Sequence, residues 1–520
     1  MKNFIRILGL LGLVFLITAC SSSKSSEPAQ NGKTGTAEDK VEDGTPQKGG
    51  EATLAYYSDV SNFDPILGSS GSDHSLLWPI FDTLIKFTPD LKAAPGLAEK
   101  WEFLDEKTLL LTLREGVTFH DGTPFDAEAV KFNIERINSD KSKIPDLKNV
   151  VSVEVVDEKT VKFNLLQPDS SILLALSDRG GMMVSPTAVK EMGEDFAHTP
   201  VGAGPFKMVS RIPNGEIVYE AYENYYEEGQ PYLDKMTIKV MVEENTRINA
   251  LKSGEVDFVF DIKPGNVKTL ESDQNIKLDS ITPVRFRTIF LNTAMEPLNN
   301  KAVRQAIQYG INRKEIIQAI NFESGEPANQ PFPSGYWATD EKLKIDYDPE
   351  KAKAILKDAG IKNVSFDMVY QANAVNQRLS EAIKGQLEKI GIKVNIKGME
   401  LTASSTHYFT DKAINANLQS WTGRPDPQMT INNLFSADSF FNPGGTSTDE
   451  IEELISQAAS TNDQKERVKI YKQVSQKGII EEAMIIPIFF EPQTAAMKKS
   501  IHGYESNLLG KPIFSTIWKE

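Results

Sequence analysis

The chain has 520 residues, of which 40% are hydrophobic and 25% are charged, and its formal net charge at pH 7 is -15. A chain of this length is too long to fold around a single hydrophobic core, so we expect two or three domains. The composition is that of a folded globular protein. The acidic balance, without a run rich in lysine and arginine, argues against a nucleic-acid partner.

Residues 1–19 have the pattern of a secretory signal peptide. A positively charged start is followed by an apolar run over 7–17, which is too short for a comfortable membrane span. The small residues before Cys20 resemble the lipobox of bacterial lipoproteins, which implies cleavage there and a lipid on this cysteine. Cys20 is also the only cysteine, so the fold uses no disulfide. Residues 20–50 are polar and small, and they predict a flexible tether.

Regular elements begin after the tether. Residues 49–57 alternate apolar and polar side chains, which predicts the first strand. The apolar stretch 74–87 predicts a helix, and Asp126 is placed as the N-cap of another helix over 126–136. Runs of strands dominate the first two hundred residues, so this part predicts strands with added helices rather than a regular alternation.

The later part of the chain alternates helices and strands. Pro349 begins a helix that Gly360 ends, because proline suits the first helical position and glycine the left-handed stop. A strand over 365–370, a helix over 377–390 and a strand over 391–397 follow at short spacing. Strand, helix and strand with short connections form a βαβ unit, which predicts a parallel sheet and an α/β domain.

The sequence lacks the motifs of an enzyme. The five histidines are scattered, without the spacing of a zinc site, and no phosphate-binding glycine loop or nucleophile motif is present. His120, in Phe-His-Asp-Gly, is explained by turn chemistry. We therefore expect no catalytic residue, no metal site and no cofactor, and a secreted hydrolase or peptidase is the rival class that this argues against.

Several motifs resemble one known family. Residues 113–130, with Arg-Glu-Gly-Val-Thr-Phe-His-Asp-Gly-Thr-Pro at their centre, are similar to the signature of family 5 extracellular solute-binding proteins. These are the peptide-, glutathione- and nickel-type receptors of bacterial ABC importers. Further markers match in the same order, and the resemblance covers about residues 50 to 520; the markers lie at 202–206, 247–257, 290–293, 300–307, 347–352 and 386–394.

The resemblance implies a bilobal, periplasmic-binding-protein-like fold of two α/β lobes with the ligand in the cleft between them. Lobe 1 would span 51–285, include an extra subdomain at about 80–200, and be rejoined by 490–520. Lobe 2 would span 286–489. Two chain crossings between lobes make a hinge, and domain closure would enclose the ligand.

An irregular turn at 417–428 is the best candidate for a ligand site. It carries Trp421, Gly423, Arg424 and Asp426, an aromatic surface beside two opposite charges. In the peptide receptors that the chain resembles, an aspartate three residues after the tryptophan clamps the α-amine of the peptide. Arg424 occupies that position here, so the charge is reversed, and the pattern is similar to the glutathione-type branch. Asp426 is the carboxylate that could replace the clamp, and a plain surface turn is the alternative.

Three further residues are candidate ligand contacts. Arg378 matches the arginine that receives the ligand carboxylate in the family, and a guanidinium binds carboxylate in bidentate fashion. A solvated helix arginine is the alternative. Tyr56 and Tyr57 are either cleft contacts or core aromatics.

The resemblance implies a binding protein and not an enzyme. We expect it to capture peptides or small peptide-like anions, of the glutathione type, and deliver them to a membrane permease and its ATPases. The alternative ligand is a non-peptide solute such as a nickel chelate or an opine, and a surface lipoprotein without transport is a third reading. The protein would be a monomer, anchored by the lipid on Cys20 to the outer face of the bacterial cell membrane.

Overall fold

The computed structural model of the protein describes residues 44–68 and 71–520. The signal peptide, Cys20 and most of the tether therefore lie outside the described residues. Within the described ranges, none of the helices has the length and apolar character needed to cross a membrane.

Within these residues the chain forms 21 strands. They are β1 (Glu51–Tyr56), β2 (Ile85–Phe87), β3 (Ala93–Pro95), β4 (Ala98–Asp105), β5 (Thr108–Leu113), β6 (Val150–Asp157), β7 (Thr160–Leu165), β8 (Phe206–Ile212), β9 (Glu216–Ala221), β10 (Lys235–Val240), β11 (Phe258–Ile262), β12 (Ile276–Ile281), β13 (Phe286–Leu291), β14 (Glu326–Pro327), β15 (Val364–Gln371), β16 (Ile392–Met399), β17 (Ala416–Trp421), β18 (Ile485–Phe490), β19 (Gln493–Lys498), β20 (Ile501–His502) and β21 (Trp518–Lys519).

The same part of the chain contains 14 α-helices. They are α1 (His74–Leu77), α2 (Ala127–Ile137), α3 (Ile172–Ala175), α4 (Pro186–Met192), α5 (Glu244–Ser253), α6 (Pro264–Glu271), α7 (Lys301–Gly310), α8 (Arg313–Ile320), α9 (Pro349–Asp358), α10 (Ala374–Glu388), α11 (Leu401–Ser405), α12 (Pro427–Phe435), α13 (Asp449–Ala459) and α14 (Gln464–Ser475).

Sheet I has seven strands in the order β12-β19-β11-β1-β10-β9-β8. β1 pairs in parallel with β10 and β11, whereas β19 lies between β11 and β12 and is antiparallel to both. A central strand is covered on both faces, and five of the six residues of β19 are buried accordingly. A strand from the C-terminal end of the chain thus completes a sheet that the first strand began.

Sheet II has six strands in the order β14-β18-β13-β17-β15-β16. The βαβ prediction is confirmed here, since β15 and β16 are parallel neighbours joined by α10. α9 begins at Pro349 with the Asp348 side chain accepting from the Lys351 amide, and Gly360 follows it at a φ of 69°. All six residues of β18 are buried, as a central strand requires.

Sheet III is a four-stranded antiparallel sheet, β4-β5-β7-β6, and α2 packs against it. The predicted cap of α2 is confirmed, because the Asp126 side chain accepts from the Ala129 amide. The helix predicted over 74–87 is wrong. The observed helix, α1, ends at Leu77. The helix does not continue because the carbonyls of Pro79 and Ile80 accept from the amides of Phe206 and Gly204, respectively, instead of from amides further along the same segment.

The chain passes between sheets I and II twice, after β12 and after β18. The crossings lie side by side, since Arg285 in the first approaches Glu491 in the second at 4.0 Å. The fold is therefore mixed α/β with two large sheets joined by two short connections. The lobe boundaries at 285 and 490 stay a prediction that agrees in position with these crossings.

Candidate ligand site between the two large sheets

The turn predicted as a ligand site follows β17 and packs against the first crossing. Trp421 ends β17 opposite Phe286 of β13. Gly423 has a φ of 78°, and a Cβ there would lie 2.8 Å from Val284 Cγ2 and 3.0 Å from the Val284 carbonyl oxygen. Only glycine combines this backbone conformation with this close approach. The turn is therefore held by backbone geometry against the connection between the sheets.

Trp421 is a core residue with one polar atom left over. Its side chain is 1% exposed and packs edge-on against the Phe441 ring, with the ring centroids 5.2 Å apart. The indole Nε1 has no hydrogen-bond partner among the described residues. The ring forms a floor beneath Arg424 rather than an exposed surface of its own.

Arg424 lies half-buried on this aromatic floor. Its guanidinium carbon is 4.8 Å from the Trp421 ring centroid and 5.7 Å from that of Phe441. It donates to the Gly423 carbonyl at 2.8 Å and to Thr422 Oγ1 at 3.3 Å. No carboxylate within the described ranges lies within 4.0 Å of it. Arg424 thus presents a fixed positive charge with donors left for an anion.

Asp426 is buried, and its contacts are with residues on the sheet II side of the molecule. Its carboxylate accepts from the Gln428 amide at 2.7 Å, which caps α12, and it forms a buried ion pair with Arg467. Burial raises the pKa of Asp426, and Arg467 offsets that rise in part. These contacts fix the start of α12, and the contact of Asp426 with a ligand stays a prediction.

A cluster of charged residues, here called the acid–base cluster, lies near Arg424. It comes from the sheet I side and from the C-terminal segment. His74 Nε2 and Lys511 Nζ lie 2.6 and 3.1 Å from the two carboxylate oxygens of Asp178. Arg179 pairs with Asp73 at 3.4 Å. Lys511 feels the charge of Arg424 as well as that of Arg179, so burial and these cations lower its pKa, against the opposing effect of Asp178.

Asp146 is the sixth member of the acid–base cluster. Its side chain is half-buried, and the charges that act on it belong to Arg424, Asp178, Lys511 and Arg179. Burial raises the pKa of Asp146, while Arg424 opposes the rise. The sequence predictions did not include any residue of this cluster, because its members come from segments far apart in the chain and form no local motif.

Tyr56 ends β1, and Tyr57 follows it close to Arg285 of the first crossing. Tyr56 is 1% exposed, stacks near Phe260, and donates to the Ser72 carbonyl at 3.1 Å, so it is a core aromatic. Tyr57 is half-buried, and its burial raises the pKa of its hydroxyl, with Asp261 and Arg285 as charged neighbours. Only Tyr57 therefore keeps surface that a ligand can contact.

Arg378 is not brought together with Arg424. It lies on α10 with an exposed side chain and has no hydrogen bond or ion pair among the residues described. Asn376, two positions earlier, is buried and accepts from Arg287 at 3.3 Å. Residues two apart on a helix face different directions, so the contact of Asn376 does not carry over to Arg378. Its ligand role stays a prediction.

A comparison with known protein families identifies the family of this chain. The model of the bacterial extracellular solute-binding proteins, family 5 middle region, matches residues 92–442, which is more than half of the chain. The chain belongs to this family. Family 5 consists of solute-binding proteins of ABC importers, so the predicted family and the prediction that the protein is not an enzyme are confirmed.

Individual relatives are similar over most of their length. The glutathione-binding protein GsiB of Shigella flexneri is 27% identical over 471 residues, with 87% of this chain and 91% of that protein covered. The periplasmic binding protein DppA of Helicobacter pylori in complex with the peptide STSA is 25% identical with a TM-score of 0.80, over 91% of this chain and 99% of that chain. AgaA from A. tumefaciens R10 in complex with agropinic acid is 27% identical with the same TM-score and coverage. The predicted α/β periplasmic-binding-protein fold is confirmed by these likenesses.

Proposed function

We propose that the protein captures peptides or small peptide-like anions, of the glutathione type, and delivers them to a permease and its ATPases. The observation that carries the proposal is Arg424, a guanidinium held on the Trp421 ring, with no carboxylate within 4.0 Å among residues 44–68 and 71–520. A guanidinium in this setting suits a ligand carboxylate, since it stays charged and offers paired donors. The likeness to GsiB and to DppA with its peptide supports this ligand class.

The proposed ligand contacts have different roles. Arg424 and the floor of Trp421 and Gly423 form the anion site, and Tyr57 adds a wall near the crossings. Arg378 is exposed on α10 and makes no hydrogen bond or ion pair among the described residues. We include it in the proposal as the second carboxylate contact and test it separately.

Isothermal titration calorimetry with glutathione and with a lysine-rich tripeptide tests the ligand class. We expect glutathione to bind more tightly, and Arg424→Gln to weaken glutathione about 10- to 100-fold, because a charge-assisted hydrogen bond contributes roughly 1.5–3 kcal/mol. Lys384→Gln, a change at a partly exposed lysine of α10, is the control and should leave binding unchanged. Tighter binding of the lysine-rich tripeptide would overturn the proposal. Arg378→Gln with less than about a twofold loss would remove Arg378 from it.

An opine is the alternative ligand, and a specific observation favours it. AgaA, with its bound agropinic acid, is as similar to this chain as GsiB is. Native mass spectrometry of the purified protein would identify a retained ligand directly. An opine mass with no peptide mass would replace the peptide proposal, while the anion site at Arg424 would stand.

We also propose that the mature protein is a monomer anchored through a lipid on Cys20. The proposed anchor rests on the signal pattern and the lipobox-like residues before Cys20. Cys20→Ala should release the protein from the membrane fraction of the producing cells into the soluble fraction. Equal membrane association of the variant and the wild type would contradict it.

A further inference from the structure

We infer that Ser170 forms a releasable contact between the sheet III side and the sheet II side of the molecule, and that a ligand on Arg424 favours the docked state of this contact. The Ser170–α13 contact consists of the two hydrogen bonds from Ser170 to the carbonyls of Ala458 and Ala459. The contact itself is independent of the proposed function, whereas its coupling to the ligand rests on that function.

Ser170 supplies the hydrogen-bond donors that the end of α13 needs. Its amide donates to the Ala459 carbonyl and its Oγ to the Ala458 carbonyl, both at 2.9 Å. A helix leaves its last four carbonyls without intrahelical partners, and the Ser460 amide serves only the two carbonyls before these. The last turn of α13 has no basic side chain that could serve the other two. Separation of Ser170 would therefore leave both carbonyls to water.

The Ser170–α13 contact joins parts of the chain that are otherwise connected through the two crossings. Ser170 follows β7 and precedes the first crossing, whereas α13 comes between the first and the second crossing. The contact is therefore a tie between the two sides in addition to the crossings. A rotation about the crossings that moves sheet III away from α13 must break it.

The Ser170–α13 contact can open without unfolding either side, because it borders an open cavity. The cavity is lined by Phe103 and Glu106 on the sheet III side and by Asn462 after α13. Glu106 and Asn462 are exposed, so water reaches the edge of the contact. Met429 of α12, which packs against the core under sheet III, is itself only half-buried.

The segment around Ser170 is held by bonds that do not involve α13. The Asp169 carboxylate accepts from the Ser171 amide at 2.9 Å and from Ser171 Oγ at 2.6 Å. Asn149 donates to the Gln167 carbonyl at 2.9 Å. These bonds remain when the contact opens, so Ser170 keeps the geometry that it needs to dock again.

The end of α13 is also tied to the turn that carries Arg424. Gln428 donates from Nε2 to the Ile455 carbonyl of α13 at 2.9 Å, and its amide donates to Asp426, two residues after Arg424. A ligand that holds Arg424 restrains this turn, and through Gln428 it restrains the helix end on which Ser170 docks. A ligand with this preference shifts the equilibrium toward the docked state.

Hydrogen exchange of the amide at residue 170 tests the contact in the ligand-free full chain. The amides of 171 and 172 donate to Asp169, so the amide at 170 is the one of these three that α13 accepts. Ser170→Ala keeps this amide and removes the Oγ donor. Its protection factor, which corrects for the intrinsic exchange rates of serine and alanine, should fall about 2- to 10-fold. Mass spectrometry with fragmentation that resolves single residues measures it.

Ser177→Ala is the matched control. Ser177 is buried in the same segment, and its Oγ donates to the Leu174 carbonyl at 2.8 Å, so the variant loses one buried hydrogen bond without touching α13. Both variants should lower the melting temperature, but only Ser170→Ala should lower the protection factor at residue 170 by twofold or more.

Glutathione, whose binding is first established by calorimetry, tests the coupling. At saturation it should raise the wild-type protection factor at residue 170 at least about threefold. In stopped-flow measurements of tryptophan fluorescence it should leave Ser170→Ala at least about twofold faster than wild type, with the association rate unchanged.

Each result decides one part of the inference. Equal protection factors in wild type and Ser170→Ala would overturn the contact, whether or not glutathione binds. An equal fall in Ser177→Ala would overturn it as well, since the change would then reflect general loosening of the segment. Bound glutathione that leaves the wild-type protection factor unchanged would overturn the coupling while the proposed function stands. Glutathione that does not bind would overturn the proposed ligand class and the coupling, and the ligand-free comparison would still decide the contact.

Discussion

Replacing Arg467 by methionine would leave a buried carboxylate without its partner at the start of α12. Arg467 pairs with Asp426, donates from Nε to the Tyr471 hydroxyl at 2.8 Å, and lies over the Trp337 ring. Methionine fills much of the aliphatic volume but supplies neither charge nor donor. Both members of the ion pair are buried, with Asp426 2% and Arg467 7% exposed, so water cannot replace the lost interaction easily.

The expected loss of stability is large for one residue. Removing one partner of a buried ion pair costs about 3–5 kcal/mol, because the remaining charge is desolvated and uncompensated. Asp426→Asn in the same chain removes that charge but keeps an oxygen for the Gln428 amide. The double variant should therefore be more stable than Arg467→Met alone, with a coupling energy of roughly 0.5–3 kcal/mol.

Equilibrium unfolding in urea at pH 7, followed by circular dichroism and by tryptophan fluorescence, measures these differences. A loss below about 1 kcal/mol for Arg467→Met would refute the reasoning. A double variant no more stable than Arg467→Met would refute it equally. Glutathione affinity measured on Asp426→Asn then separates the two roles of this residue. An unchanged affinity assigns Asp426 to the turn, and a loss of tenfold or more, about 1.4 kcal/mol, assigns it to the ligand.

Two further predictions concern local geometry. In the folded protein burial lowers the pKa of His120 to about 4, and its Nε2 donates to the Gly204 carbonyl. In the unfolded chain the pKa of this histidine is about 6.5, so as pH falls from about 6.5 to about 4 the unfolded chain binds the proton and the folded protein does not. Over that window up to about 3 kcal/mol of stability is lost, and the urea midpoint of His120→Gln should fall less steeply; an identical profile would contradict this. Gly423→Ala should cost at least about 2 kcal/mol through its positive φ and the Val284 carbonyl. Gly385→Ala, in open space on α10, should instead stabilise by roughly 0.5–1 kcal/mol, and a Gly423 variant as stable as this control would be decisive against strain.

Elements with local signals were predictable from the sequence. α9 begins at Pro349 as predicted, and β15 and β16 lie within two residues of their predicted bounds. Periodicity and capping act within a few residues, so a single chain segment carries the information. The helix predicted over 74–87 was wrong because the backbone groups of 79 and 80 are used by a distant segment, which no local pattern records.

The candidate site was predictable on one side only. Trp421, Gly423 and Arg424 form one continuous turn, so a motif could point to them. Asp146 and Lys511 both have Arg424 as a charged neighbour, but they come from segments more than three hundred residues apart and neither stands in a recognisable pattern. The exposure of individual side chains was also not predictable from the sequence, which does not indicate that Tyr56 is buried while its neighbour Tyr57 is only half-buried.

The position of β19 in sheet I has a consequence for how the protein is made. β12 pairs only with β19 in that sheet, and β11 needs it to stop being an edge. Every strand of sheet II precedes β19 in the chain, so sheet II can be assembled while sheet I still has an open seam. A nascent or truncated chain ending before Gln493 would therefore expose a hydrogen-bonding edge to other molecules. β19 closes that seam, and Lys511, which follows it in the chain, pairs with Asp178, so sheet I and the charge pattern near Arg424 are both completed only after all of sheet II has been synthesised.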